Sequence, residues 1–287
     1  MTPESEYLLN LAWRNVQAYL SLPQVRAAMV TGSVALGLSD HYSDIDMMIY
    51  YDALPSDDEL LAARLRNGGT ELLWWVENRA EGELMESYRV HGVECQIAHA
   101  TIAAWERDIA IVLEQHDVKT PLHKAMSGTL EGIPLYGAEL INTWKARIAK
   151  YPPALAQAMV EQHLQFFPLW SVQPQLAGRD AKLWHYQILT EAAYNLLAIL
   201  AGLNGQYFTT FQFKRMRHFV AQLTILPIDF AARLDRLFTA EFSVAALELE
   251  ALVDETIELV AQHLPQVDVS GVRQKIGQRK PAWKFAE

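Results

Sequence analysis

"MVTGSVALGLSDHYSDIDMMIYY", residues 29–51, is the stretch whose reading decides the fold. An apolar run from Val25 to Thr31 meets Gly32-Ser33, and about ten residues later Met47 to Tyr51 opens a second run behind Ser43-Asp44-Ile45-Asp46. Side chains alternate along a strand, so residues i and i+2 share a face. Asp44 and Asp46 therefore point the same way, with Cα atoms roughly 7 Å apart at a rise of about 3.3 Å per residue. Two carboxylates that close repel unless something positive lies between them.

Three explanations compete. Turn chemistry accounts for one aspartate at a strand entrance, but not for two on one face of an apolar strand. A structural ion pair needs an arginine or lysine, and none lies nearby in sequence. A hard cation such as Mg²⁺ suits carboxylate oxygens and takes further ligands from substrate phosphates. The segment upstream favours the cation. Glycine lets the backbone approach an anion closely, and free N–H groups with a serine hydroxyl can donate to phosphate oxygens.

Working outward, Glu6 to Leu20 has apolar residues at helical spacing, and Val34 to Leu38 is a helical turn. Asp57 to Arg66 reads as a helix, with Ser56 as N-cap and Glu59 as its capping-box partner. Glu71 to Val76, Leu84 to Val90 and Val93 to Ala98 read as strands, the last two joined by a tight His91-Gly92 turn. Thr101 to Gln115 and Pro121 to Leu130 read as helices. Tyr151-Pro152-Pro153 breaks the pattern, and almost everything after it is helical. Ala181 to Ala201 is apolar nearly all round and reads as a buried helix. Leu249, Leu252, Val253, Ile257, Val260 and Leu264 form one stripe. The expected class is α+β, with a mixed sheet flanked by helices over residues 1–150 and a helical bundle over 151–287.

Composition narrows the function classes. Hydrophobic residues at 51% and charged residues at 20% are a globular mix. The longest apolar stretch, Ala192 to Leu203, is too short to span a membrane, and the polar, acidic start Met1 to Tyr7 does not resemble a signal peptide. The single Cys95 excludes an internal disulfide and a cysteine-based zinc site, so the expected location is cytoplasmic. Residues 1–150 carry 21 acidic against 12 basic side chains, a net −9 of the chain's −10. That charge disfavours a nucleic-acid partner and favours a cationic one.

Gly-Ser at the end of one strand, followed by Asp-x-Asp opening the next, resembles the nucleotidyltransferase superfamily, the fold of polymerase β and of the antibiotic nucleotidyltransferases. The helical second half is similar to the C-terminal domain of the aminoglycoside and lincosamide enzymes. The resemblance implies a third carboxylate on a neighbouring strand. "YRVHGVECQIAHA", residues 88–100, supplies Glu94, which shares a face with Gln96 while Val93, Cys95 and Ile97 share the other. Gln96 cannot act as a base.

The implied chemistry is nucleotidyl transfer. Asp44, Asp46 and Glu94 would hold one or two Mg²⁺ ions, with Glu94 also the candidate general base. Gly32, Ser33 and Ser43 would hold the triphosphate of ATP or another NTP, and Lys214, Lys182 and Arg179 of the helical half would reach it. Asp180 would touch base or acceptor. The implied partner is a small hydroxyl acceptor, with the protein a monomer or homodimer. Three other readings stay open: AMP transfer to protein, a nucleotide-binding regulator without turnover, and RNA cleavage by Arg179 with His185, a pairing that resembles helical toxin partners of nucleotidyltransferases.

Overall fold

The amphipathic opening segment forms α1, Pro3–Leu20, with Thr2 as N-cap accepting from Ser5 N and Pro3 in the first turn, where a missing N–H costs nothing. Strand β1 is Val25–Thr31, followed by the short helix α2, Gly32–Leu36. The helical turn expected at 34–38 starts and ends earlier, because Gly37 takes a left-handed conformation (φ 71°) that stops it. Strand β2 is Ile45–Tyr51, and α3, Asp57–Arg66, carries the Ser56/Glu59 capping box in full. Strands β3 (Trp74–Asn78), β4 (Glu83–Val90) and β5 (Val93–Thr101) follow, then α4 (Ile102–Leu113), α5 (Leu122–Glu131), β6 (Ile133–Tyr136) and α6 (Ala138–Ile148).

The six strands form one mixed sheet in the order β3-β4-β5-β2-β1-β6, with β2 and β5 parallel and every other neighbouring pair antiparallel. The β4–β5 hairpin closes through His91 and Gly92, both at positive φ (51° and 84°), as a two-residue primed turn requires. One face of the sheet is sealed: Ile45, Met47, Ile49, Tyr51, Cys95 and Ile97 pack with Leu8, Leu11, Val16 and Tyr19 of α1. Each fully buried side chain of this size contributes about 1.5–3 kcal/mol. A polar thread runs through the same layer. Tyr19 and His99 both reach Glu86 Oε1 (2.8 and 3.3 Å), Tyr51 pairs with His99 Nδ1 (2.8 Å), and Tyr19 with Tyr88 (2.8 Å).

The opposite face is plugged at one end only. Tyr50 of β2 packs on Trp144 of α6 and Trp105 of α4, with ring centroids 4.6 and 5.9 Å away. Toward the start of β2 the same face is half-buried at Met48, Asp46 and Asp44.

Two strands depart from the sequence reading. The strand expected at 71–76 pairs only from Trp74, since Leu72 and Leu73 are exposed and hold to Ser87 through a single Leu73 N–H. An apolar run does not announce where a ladder begins. Strand β6 has no counterpart in the sequence reading, and Pro134 is a residue that a strand interior disfavours. It lies at the sheet edge, where a missing N–H is tolerated, and the register shifts beside it.

The computed structural model describes residues 1–283 and divides into two units. The first comprises Met1–Gln115 and Ala125–Lys150, and holds the sheet. The second comprises His116–Lys124 and the chain from Tyr151 onward, and is helical. It contains α7 (Pro153–His163), α8 (Leu169–Leu176), α9 (Lys182–Leu203), α10 (Met216–Val220), α11 (Phe230–Thr239), α12 (Phe242–His263) and α13 (Ser270–Arg273). The expected stripe of α12 is buried from Leu249 to Val260, while Leu264 is the half-buried C-cap residue. Helix α9 is buried along one face from Ile188 and nearly all round from Leu196 to Gly202, but Thr190 and Glu191 are exposed. In its first turns only His185 is buried, with Leu183 86% exposed and Trp184 and Tyr186 also reaching solvent. The reading of an all-round buried helix is corrected there: hydrophobicity says nothing about how far the covering helices extend. Among the described residues no helix is long and apolar enough to cross a membrane.

Burial pushes the Cys95 thiol up to about 12. Iodoacetamide at pH 8 is therefore expected to leave the folded protein unmodified and to alkylate it fully in guanidinium; rapid labelling of the native protein would contradict the sealed face.

Candidate active site

The parallel ladder sets Ile45 opposite Cys95 and Asp46 opposite Gln96. Ile45 and Cys95 are fully buried against the α1 layer, which fixes the phase of both strands. Asp44, Asp46, Glu94 and Gln96 must then stand on the other, half-open face. Strand β5 lies between β4 and β2, so Glu94 is not an edge-strand surface residue.

Hydrogen bonds tie three of these side chains together. Gln96 Nε2 donates to Asp44 Oδ2 (2.9 Å) and to Glu94 Oε1 (3.3 Å). Ser87 of β4, the ladder partner of Gln96, donates its hydroxyl to the same Glu94 oxygen at 2.8 Å. Ser87 and Gln96 are site residues that the sequence did not reveal as such. Alternation placed Gln96 on the right face, while Ser87 required the β4–β5 register.

The Gly-Ser turn reaches the same place from the neighbouring strand. Thr31, the last residue of β1, is the ladder partner of Asp46. Gly32 follows at φ 64°, and a Cβ there would collide with Asp46 Oδ2 and stand 3.4 Å from Asp46 Cγ. Glycine is thus required twice, by backbone conformation and by contact with the carboxylate. Ser33 Oγ is hydrogen-bonded to Ser39 Oγ (3.2 Å), Ser39 N donates to Ser5 Oγ (2.8 Å), and Thr2 Oγ1 donates to Ser39 O (2.8 Å). Ser43 is occupied in its own turn, accepting from Asp40 N and donating to Asp40 Oδ1.

Aspartate and glutamate oxygens suit a hard divalent cation. Among the described residues, however, no three His, Cys, Asp or Glu side chains converge closely enough to hold one. The Gln96 amide stands between Asp44 and Glu94.

The basic candidates all lie in the second unit. Lys214 sits in a 3₁₀ turn, Thr210–Arg215, with Nζ 5.2 Å from the centroid of Phe211. Lys124, which the sequence reading did not single out, places its Nζ 4.0 Å from the same ring. Arg179 and Asp180 are exposed in the turn before α9, and Lys182 is exposed at its first residue. The imidazole of His185 is buried and stacked on Phe242 (4.0 Å, 18°), and burial lowers its pKa. So closed a ring is not presented to an RNA strand, which removes the support for the Arg179–His185 nuclease reading.

No protein-family model matches the chain, and no curated protein matches it in sequence. Among solved structures, the chain is similar to a nucleotidyltransferase-like protein from Exiguobacterium sibiricum, at 11% identity and a TM-score of 0.38, over 88% of this chain and 78% of that one.

Gly68 provides a control for Gly32. Both have φ near +65°, but a Cβ at Gly68 meets nothing within 4 Å. Gly68→Ala is expected to cost about 1–2 kcal/mol of backbone strain, and Gly32→Ala clearly more in urea denaturation. Equal costs would mean that Gly32 does not press on Asp46.

Proposed function

We propose that the protein is a Mg²⁺-dependent nucleotidyltransferase, which moves a nucleoside monophosphate, AMP from ATP in the simplest case, onto a hydroxyl of a small acceptor. One observation carries this reading: the Gly32-Ser33 turn, Asp46 of β2 with Asp44 just before it, and Glu94 of β5 meet at one end of one sheet face, with Gly32 backbone against the Asp46 carboxylate. Anion-accepting backbone and cation-holding carboxylates side by side are what a metal–triphosphate ligand needs.

Asp44, Asp46 and Glu94 would hold Mg²⁺, which when bound supplies charge stabilisation at the phosphoryl group and lowers the pKa of a bound hydroxyl. The remaining work belongs to the chain. Gly32 and Ser33 would take the phosphate oxygens and fix the triphosphate for in-line attack. Glu94 is engaged through Oε1 by Ser87 and Gln96, and would accept the acceptor's proton. The acceptor oxygen then bonds to the α-phosphorus as the bond to the pyrophosphate oxygen breaks, and pyrophosphate leaves with that electron pair. The net −9 of residues 1–150 favours a cationic acceptor, with aminoglycosides and lincosamides the first classes to try.

The test is pyrophosphate release with each of four NTPs against a panel of aminoglycosides, lincosamides and hydroxylated metabolites, with Mg²⁺ or with EDTA. Turnover is expected only with Mg²⁺. Asp44→Asn and Asp46→Asn should each lower it about 10²–10³-fold or more, and Glu94→Gln by about 10²–10⁴-fold, with circular dichroism unchanged. Near-normal turnover in either aspartate variant would refute the assignment.

A further inference from the structure

We propose that the Gln96 side-chain amide is a placeholder for the cation, and must swing aside before Asp44 and Glu94 can share an ion. The inference rests on the metal reading above and goes beyond it, because it assigns a switching role to a residue that is neither acid nor base. A single nitrogen, Nε2, makes both contacts, 2.9 Å to Asp44 Oδ2 and 3.3 Å to Glu94 Oε1. A primary amide carries two N–H groups on that nitrogen, so it can serve both carboxylates at once. Neither Asp44 nor Glu94 makes an ion pair among the described residues, Arg89 opposite Glu94 on β4 included, so the donor standing between the two carboxylates is the neutral amide.

The arrangement stabilises the metal-free site in a specific way. Two partial positive charges offset the repulsion of two acids, and a neutral group costs far less to dislodge than the ammonium of a lysine in the same place. The backbone of Gln96 cannot yield, since it is held in register with Asp46 on one side and Ser87 on the other. Only the side chain is free to rotate. Ser87 keeps its hold on Glu94 when it does. Gln96 is therefore a positioning residue that lowers cation affinity in the resting protein.

The sign of the effect separates this role from ordinary structural support. Equilibrium binding of Mn²⁺ to the full chain, without nucleotide, is measured by electron paramagnetic resonance, alongside thermal melting of the metal-free protein. Gln96→Met keeps the length and loses the donor. It should melt a few degrees lower without metal, yet bind Mn²⁺ about three- to tenfold more tightly. Gln96→Ala, which removes the donor without adding a charge or a ligand, should shift both readouts in the same directions, and decides the matter if the methionine variant does not fold. Variants that lose stability and bind Mn²⁺ no better, or worse, would overturn the placeholder while leaving the metal site standing. Absence of Mn²⁺ binding in the wild type and in every Gln96 variant alike would overturn both.

Discussion

The parallel pairing of β2 with β5 is the constraint on which the rest of the site depends. A slip of one residue would turn Asp46 or Glu94 into the α1 layer and bring Ile45 or Cys95 out. That slip is prevented by burial: Ile45, Met47, Ile49 and Tyr51 on one strand and Cys95 and Ile97 on the other are sealed under α1. Hydrophobic side chains on one face thus aim the carboxylates on the opposite one. The aromatic plug of Tyr50, Trp105 and Trp144 closes the far end of the acidic face and leaves the near end accessible.

At that near end, three segments are held by three different means. The antiparallel β1–β2 ladder brings Thr31 to Asp46, and Gly32 touches the carboxylate because it has no side chain. The loop behind it is tied to the start of α1 by the hydroxyls of Ser5 and Thr2, which bond the backbone of Ser39. The third segment, β5, is joined to Asp44 by an amide, not by a charge. No lysine or arginine forms an ion pair with Asp44 or Glu94 among the described residues, although Arg89 of β4 is the ladder partner of Glu94, a layout suited to receiving a cation from outside.

Much of this was legible in the sequence because it follows from local rules. The phase of each strand follows from alternation, so Asp44 with Asp46, and Glu94 with Gln96, could be placed on faces without knowing which strands are neighbours. The Ser56/Glu59 cap and the His91-Gly92 turn are equally local. What failed depended on partners distant in the chain. Strand β6 is tolerated only because it lies at an edge, β3 starts where β4 offers a mate, and the first turns of α9 are covered on the His185 side alone. Ser87 and Gln96 belong to the same class: their role is a matter of register across strands, which no single segment specifies. The Gly32–Asp46 contact lies between the two extremes, since the motif named both residues and only the β1–β2 ladder put them in touch.

The central claim is that Gly32-Ser33, Asp44 and Asp46 form one site for a metal-bound triphosphate. Its most direct test is a crystal grown with Mn²⁺ and a non-hydrolysable ATP analogue, read by anomalous scattering. The account predicts manganese about 2.2 Å from oxygens of both Asp44 and Asp46, with the analogue's phosphates against the backbone of Gly32 and Ser33. Manganese and triphosphate ordered together elsewhere on the chain, with Asp44 still bonded to Gln96, would contradict it.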